Sequence, residues 1–123
     1  MTFSIMVSTE IRHTQLSRLV DALRDLVGTL EQDDSCQWTP HFRRCLAHAE
    51  ELLSTGFTQE QLAELSTSVT HCYGGMGSFS DYAPGRFEPS TGRYAGIPGT
   101  ENFDTFAGAT YERAVDLRVV DQR

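Results

Sequence analysis

Hydrophobic positions recur at helical spacing in the first third of the chain. Leucines and valines lie three or four residues apart from Leu16 to Leu30, with arginines and aspartates between them. This spacing puts the apolar side chains on one face of an α-helix. Ser8 or Thr9 can cap its start. The pattern predicts a helix over about residues 9–32.

A second apolar stripe follows a pair of residues that typically begin a helix. Thr39 is suited to the cap position, and Pro40 to the first helical position, where the missing N–H costs nothing. Gly56 follows the last apolar residue and is the residue type that most readily closes a helix. These signals predict a helix over residues 40–55.

A third helix is predicted directly after this glycine, over residues 59–71. Thr58 and Gln61 have the spacing of a capping box, in which each side chain binds the other residue's backbone N–H. Because the connection at Gly56 is short, the second and third helices should be antiparallel or steeply crossed.

Helical spacing is absent from residues 74–105, where seven of the ten glycines lie, and it returns over residues 106–118. The irregular segment is also rich in Phe and Tyr, which a disordered tail would lack, so we expect it to be ordered. Residues 89–92 could form the turn of a hairpin, but the sequence does not decide whether a hairpin forms. The predicted fold is an all-α, single-domain bundle of three to four helices with a long ordered glycine- and aromatic-rich segment.

Charge and composition narrow the class of partner. The net charge of −7 argues against nucleic acid and against an anionic membrane surface, and favours a basic protein partner. No apolar run reaches the roughly 20 residues that a membrane-spanning helix needs. Three cysteines, an odd number without a disulfide spacing, favour a reducing compartment. We therefore expect a cytoplasmic protein without a cofactor.

The glycine-rich stretch 74–78 invites comparison with loops that bind phosphate. A phosphate loop needs a Lys after its last glycine, and a dinucleotide fingerprint needs a preceding strand. This stretch has neither, because a predicted helix precedes it and no Lys follows. The favoured interpretation is the end of a helix and a turn, after which Ser78 and Asp81 cap a short helix.

His41, Cys45 and His48 lie on one face of the second predicted helix, at steps that could present zinc ligands. Cys45 also belongs to the apolar stripe, where a free cysteine behaves as a small hydrophobe. No second close pair of ligands accompanies the three residues. A buried cysteine between two histidines is therefore the favoured interpretation, and a metal site is the alternative.

Two segments carry a resemblance to a known class of domain. Residues 74–81, read as Gly-Gly-Met-Gly-Ser-aromatic-x-Asp, follow Trp38-x-x-x-Phe42-x-x-Cys45-Leu46. Together they resemble a family of small uncharacterised bacterial domains over about residues 10–85. In size and acidity the chain also resembles the immunity partners encoded beside secreted bacterial toxins. This resemblance implies a cognate toxin as partner and assigns no residue a role.

The leading hypothesis is a non-catalytic protein-binding module that occludes the active cleft of a basic toxin domain. The alternative is a small metal- or ligand-binding enzyme that uses the His41/Cys45/His48 face or the Ser78/Asp81 loop. A homo-oligomer whose loop completes a neighbouring subunit is a third hypothesis. The predicted partner-binding residues are aromatic and acidic side chains: Phe79, Asp81, Tyr82, Glu60, Glu64, Asp33 and Asp34.

Overall fold

The computed structural model describes residues 9–74 and 77–118 and confirms a mainly helical bundle. Gly75 and Met76 of the glycine-rich stretch lie outside the described residues. Four helices and one small sheet follow one another along the chain. They are α1 (Thr9–Leu30), α2 (Thr39–Thr55), α3 (Gln59–Thr70), β1 (Arg86–Glu88), β2 (Arg93–Ala95) and α4 (Phe103–Asp116), with 3-10 turns at His71–Tyr73 and Phe79–Asp81.

Helix α1 supplies the centre of the hydrophobic core. Its leucines at 16, 19, 23, 26 and 30 are all fully buried. One side of α1 packs against α2 and another against α4, while α3 packs against both α2 and α4. Because apolar side chains cover a wide stripe of α1, one helix can support two neighbours.

The start of α2 differs from the prediction. Trp38 occupies the cap position and Thr39 is already helical, so Thr39 does not cap the helix. The Trp38 ring makes an edge contact with the ring of Phe79, at 5.9 Å between centroids, and the Trp38 carbonyl accepts from the Phe42 N–H. The Thr39 hydroxyl is buried and has no hydrogen-bond partner among the described residues. Packing of Trp38 therefore overrides the local preference for a threonine cap.

The connection from α2 to α3 follows the prediction. Gly56 takes a φ of 103°, a conformation that disfavours other residue types. The Thr58 hydroxyl accepts from the Gln61 N–H at 3.1 Å, and the Gln61 side chain accepts from the Thr58 N–H at 2.8 Å. The capping box that starts α3 is confirmed.

Helix α4 is bound to the rest of the bundle at its carboxyl end. Buried Arg12 donates to the Asp116 carbonyl at 2.8 Å, and Gln59 donates to the Leu117 carbonyl at 2.8 Å. Arg118 donates to the Ser66 hydroxyl at 2.8 Å. The last carbonyls of a helix have no partner within the helix. Here α1 and α3 supply partners for two of the carbonyls at this end.

Strands β1 and β2 form an antiparallel hairpin in which Phe87 pairs with Tyr94. The hairpin that the sequence left open is therefore present, and Gly92, with a φ of 70°, lies in its turn. Within the described chain, the backbone of neither strand comes close to a helix, and neither Phe87 nor Tyr94 is among the aromatic residues packed on the core. The hairpin projects from the bundle instead of packing on it.

Candidate functional site

Phe79, the aromatic residue of the glycine-rich motif, is a core residue. Its side chain is only 2% exposed. Five aromatic rings surround it within 6 Å between centroids, those of Trp38, Phe42, Tyr73, Tyr82 and Phe103. We expected Phe79 to be an exposed anchor for a partner, and its burial does not fit that expectation. The ring instead fixes the irregular segment to α2 and α4.

The polar residues of the motif stabilise the local turn. The Ser78 hydroxyl accepts from the Ser80 N–H at 3.2 Å, and the Asp81 carboxylate accepts from the Gly77 N–H at 2.6 Å. Gly77 has a φ of 76°, so the turn needs a glycine there. The predicted capping role of Ser78 is confirmed, and Asp81 closes the same turn. Both side chains therefore already have a structural role that involves no ligand.

Asp33 and Tyr82 join the irregular segment to the end of α1. The Tyr82 hydroxyl donates to the Asp33 carboxylate at 2.7 Å, and the Ser35 N–H and hydroxyl donate to its other oxygen at 3.0 and 2.8 Å. Burial opposes ionisation of Asp33, but these hydrogen bonds and the charge of Arg86 outweigh it and lower its pKa. Burial, and then the bond to Asp33, raise the pKa of Tyr82.

The burial of Asp33 was missed at the sequence level. Asp33 and Asp34 were both predicted to bind a partner. An Asp side chain can accept from the backbone N–H two residues further on and fold a local turn. The same local signal applies to Asp34, so the burial of Asp33 and the exposure of Asp34 depend on tertiary packing.

The acidic residues predicted to bind a partner lie at separate places. Asp33, Asp81 and Tyr82 line one cleft of about 370 Å³ next to Gly77 and Ser78. Glu60 and Glu64 lie one turn apart on α3, both exposed, and do not line this cleft. Asp34 is also exposed. The structure therefore groups the motif residues and leaves the α3 glutamates on a surface of their own.

Two of the side chains considered as zinc ligands, His41 and Cys45, lie close together. Cys45 Sγ lies 3.7 Å from His41 Nε2. In the described part of the chain, no group of three or more His, Cys, Asp or Glu side chains could hold a metal ion. Burial raises the pKa of the Cys45 thiol to about 11 and lowers the pKa of His41. Cys45 is a buried member of the hydrophobic core, so its environment suits a small core residue.

The hairpin carries exposed aromatic side chains that the sequence did not single out. Phe87 is 50% exposed and Tyr94 is 77% exposed. Their rings meet edge to face, at 5.5 Å between centroids. Together they form a small exposed aromatic patch on the hairpin. We call Phe87 and Tyr94 the hairpin aromatic pair.

A second cleft, of about 580 Å³, lies between the end of α3 and α4. Two tyrosines, two glycines and four polar residues line it: Tyr73, Tyr111, Gly74, Gly108, Thr70, His71, Ser80 and Glu112. We call it the tyrosine cleft. Its volume lies within the usual range for small-ligand sites.

Comparison with known proteins supports the resemblance to an uncharacterised domain family. Residues 31–88 match the family model of a domain of unknown function (DUF6966). The matched part runs from the end of α1 to β1, and so includes the Asp33–Tyr82 bond and the whole glycine-rich motif. No curated protein and no solved structure was found to match the chain. No described helix is both long enough and apolar enough to cross a membrane.

Proposed function

We propose that the chain is a non-catalytic protein-binding module, and specifically a cytoplasmic immunity protein that neutralises a bacterial toxin domain. The observation that carries this proposal is the hairpin aromatic pair, because it is exposed on an element whose backbone comes close to no described helix. Aromatic residues that project from a rigid scaffold are typical anchors of protein interfaces.

The anchors in this proposal differ from those predicted. Phe79 is in the core and the Tyr82 hydroxyl is bound to Asp33, so Phe87 and Tyr94 take over the anchoring role. The hairpin also carries Arg86, Glu88 and Arg93, and Glu88 pairs with Arg93 across the two strands. Further negative charge lies off the hairpin, at exposed Asp34, Glu60 and Glu64.

The proposed mechanism is occlusion of the toxin's active cleft. The hairpin aromatic pair fills the mouth of the cleft, where buried rings contribute most of the affinity. The acidic surface and the net charge of −7 accelerate the encounter with a basic partner. Free Cys36, Cys45 and Cys72 are compatible with the reducing cytoplasm.

Co-purification with the product of the neighbouring gene tests the proposal. We expect a stable complex, and we expect the double variant Phe87→Ala/Tyr94→Ala to weaken it by roughly 30-fold or more, as for a pair of hot-spot residues. Ile11→Ala is the matched control, because Ile11 is also an exposed large apolar side chain, at 52%, but lies on α1. Absence of any stable complex, or equal effects of the two variants, would contradict the proposal.

A second measurement separates steering from anchoring. In Glu60→Gln/Glu64→Gln the association rate should fall and its dependence on salt should weaken, while the dissociation rate stays nearly constant. In Phe87→Ala/Tyr94→Ala the dissociation rate should rise, while the association rate and its dependence on salt stay nearly constant. Stopped-flow association at several salt concentrations distinguishes the two effects.

A further inference from the structure

We propose that the tyrosine cleft binds an alkylguanidinium group, as carried by an arginine side chain or by a small free guanidine. This site is distinct from the hairpin aromatic pair, since none of its described lining residues belongs to the hairpin. The inference goes beyond the proposed function and can be tested without knowledge of the partner.

Two glycines keep the cleft open. Beyond the neighbouring backbone, a methyl group added at Gly74 or at Gly108 would meet no described atom within 4 Å. Gly108 lies inside α4, where glycine costs the helix about 1 kcal/mol relative to alanine. No described neighbour is so close that it would exclude a side chain at this position. Its structural effect is therefore to leave room in the cleft.

The two tyrosines provide an aromatic wall. The Tyr73 hydroxyl donates to the Ala107 carbonyl at 2.8 Å, which holds this ring in place. The Tyr111 ring lies against it, at 5.0 Å between centroids, and is 41% exposed. A planar guanidinium stacks on such a ring, since the face of the ring attracts a cation.

Glu112 is the acidic residue that lines the cleft, and its carboxylate can bind a cation. Exposed Glu112 forms no ion pair with any described residue. Arg118 is bonded to Thr70 at the cleft, so we expect the cation beside Tyr111 and Glu112 and away from Thr70. A carboxylate can accept two parallel N–H donors from one guanidinium. Glu112 and the Tyr111 ring together match the charge and the flat shape of this group.

The test is an NMR titration of the full chain with two probes, agmatine and Nα-acetylarginine methylamide. We expect saturable shifts of the Gly74, Gly108 and Tyr111 amide signals, with a dissociation constant of about 1 mM for so small a ligand. The citrulline analogue, which has a neutral urea in place of the guanidinium, should give none. Response to agmatine alone indicates a free guanidine as the ligand, and response to the amide indicates a peptide side chain.

Three variants make the result specific. Gly108→Leu should fill the cleft and abolish the shifts, and Glu112→Gln should weaken binding at least fivefold. Gly28→Leu is the matched control, because Gly28 is also a helical glycine with no atom within 4 Å of an added methyl group. Absence of saturable shifts at tens of millimolar probe, or unchanged binding by Gly108→Leu, would overturn the inference. Phe87→Ala/Tyr94→Ala should still bind the probes, which separates this result from the fate of the proposed function.

Discussion

At the scale of single residues, Phe79 stabilises the glycine-rich segment by filling the space between five other rings. Phe79→Ala should lower the free energy of unfolding by about 3–5 kcal/mol, because it leaves a cavity that the fixed rings cannot collapse into. Urea denaturation measures the loss. Phe87→Ala, an equal truncation at a half-exposed ring, should change stability by less than about 1 kcal/mol. Similar losses in the two variants would mean that Phe79 is not a core residue.

The lowered pKa of Asp33 predicts a stability that depends on pH. The folded carboxyl holds its proton less tightly than the unfolded one, whose ordinary pKa is 3.8, so acidification favours unfolding. The stabilisation is therefore complete above the ordinary pKa and is lost as pH falls through the lower folded value. Wild type should lose its advantage over Asp33→Asn in that acidic window. A constant difference between the two proteins, measured by urea denaturation across the pH range, would show that Asp33 does not titrate differently on folding.

Some residue roles could be predicted from the sequence and others could not. Ser78 and Gln61 act through neighbours three residues away or fewer, so their spacing predicted their contacts. Arg12 and Tyr82 bind partners 104 and 49 positions away, which no local pattern encodes. The burial of Phe79 depends in the same way on α2 and α4, and was missed for this reason.

At the scale of elements, the carboxyl end of α4 depends on a side chain from α1. Arg12→Met should lower the free energy of unfolding by about 1–3 kcal/mol, since the Asp116 carbonyl loses its buried donor. It should also accelerate amide hydrogen exchange in the last turn of α4. Exposed Arg18 on the same helix is the control, and Arg18→Met should change stability by less than about 0.5 kcal/mol. Equal losses of stability in Arg12→Met and Arg18→Met would mean that the Arg12 hydrogen bond does not stabilise the carboxyl end of α4.

The helices themselves were largely predictable, because each carries its own apolar stripe and end signals. Helix α1 ends at Leu30 instead of near residue 32, and α3 ends at Thr70, within one residue of the prediction. Helix α4 begins at Phe103, three residues before the predicted start. Phe103 was interpreted as an aromatic of the loop, but its buried ring packs on Phe79 and extends the helix. Here tertiary packing, which a single sequence does not display, set the boundary.

At the scale of the whole molecule, the part that matches the family model lacks the centre of the core. Residues 31–88 include α2 and α3 but omit α1 and α4. The fragment 31–88 should therefore lack cooperative thermal unfolding, because its buried stripes lose the surfaces they pack against. Circular dichroism and the dispersion of its NMR signals check this. A sharp, reversible transition in the fragment would show that the matched part folds alone.

Removal of the hairpin, by contrast, should leave the rest of the chain able to fold. Replacement of residues 86–95 by a glycine-serine linker of equal length removes the hairpin, whose backbone comes close to no described helix. This variant should keep cooperative unfolding, with a small loss from the charge of Arg86 near Asp33. Loss of folding in it would mean that the hairpin is part of the core structure.

The bond between Arg12 and Asp116 has a topological consequence. Residues 104 positions apart are in direct contact, so the outer ends of α1 and α4 adjoin. A short peptide could join these two helix ends. The chain could then be cut in the projecting turn between β1 and β2, which would create new amino and carboxyl termini there. The bundle is thus suited to circular permutation, and the permuted protein would present its freed ends at the surface proposed to meet the toxin.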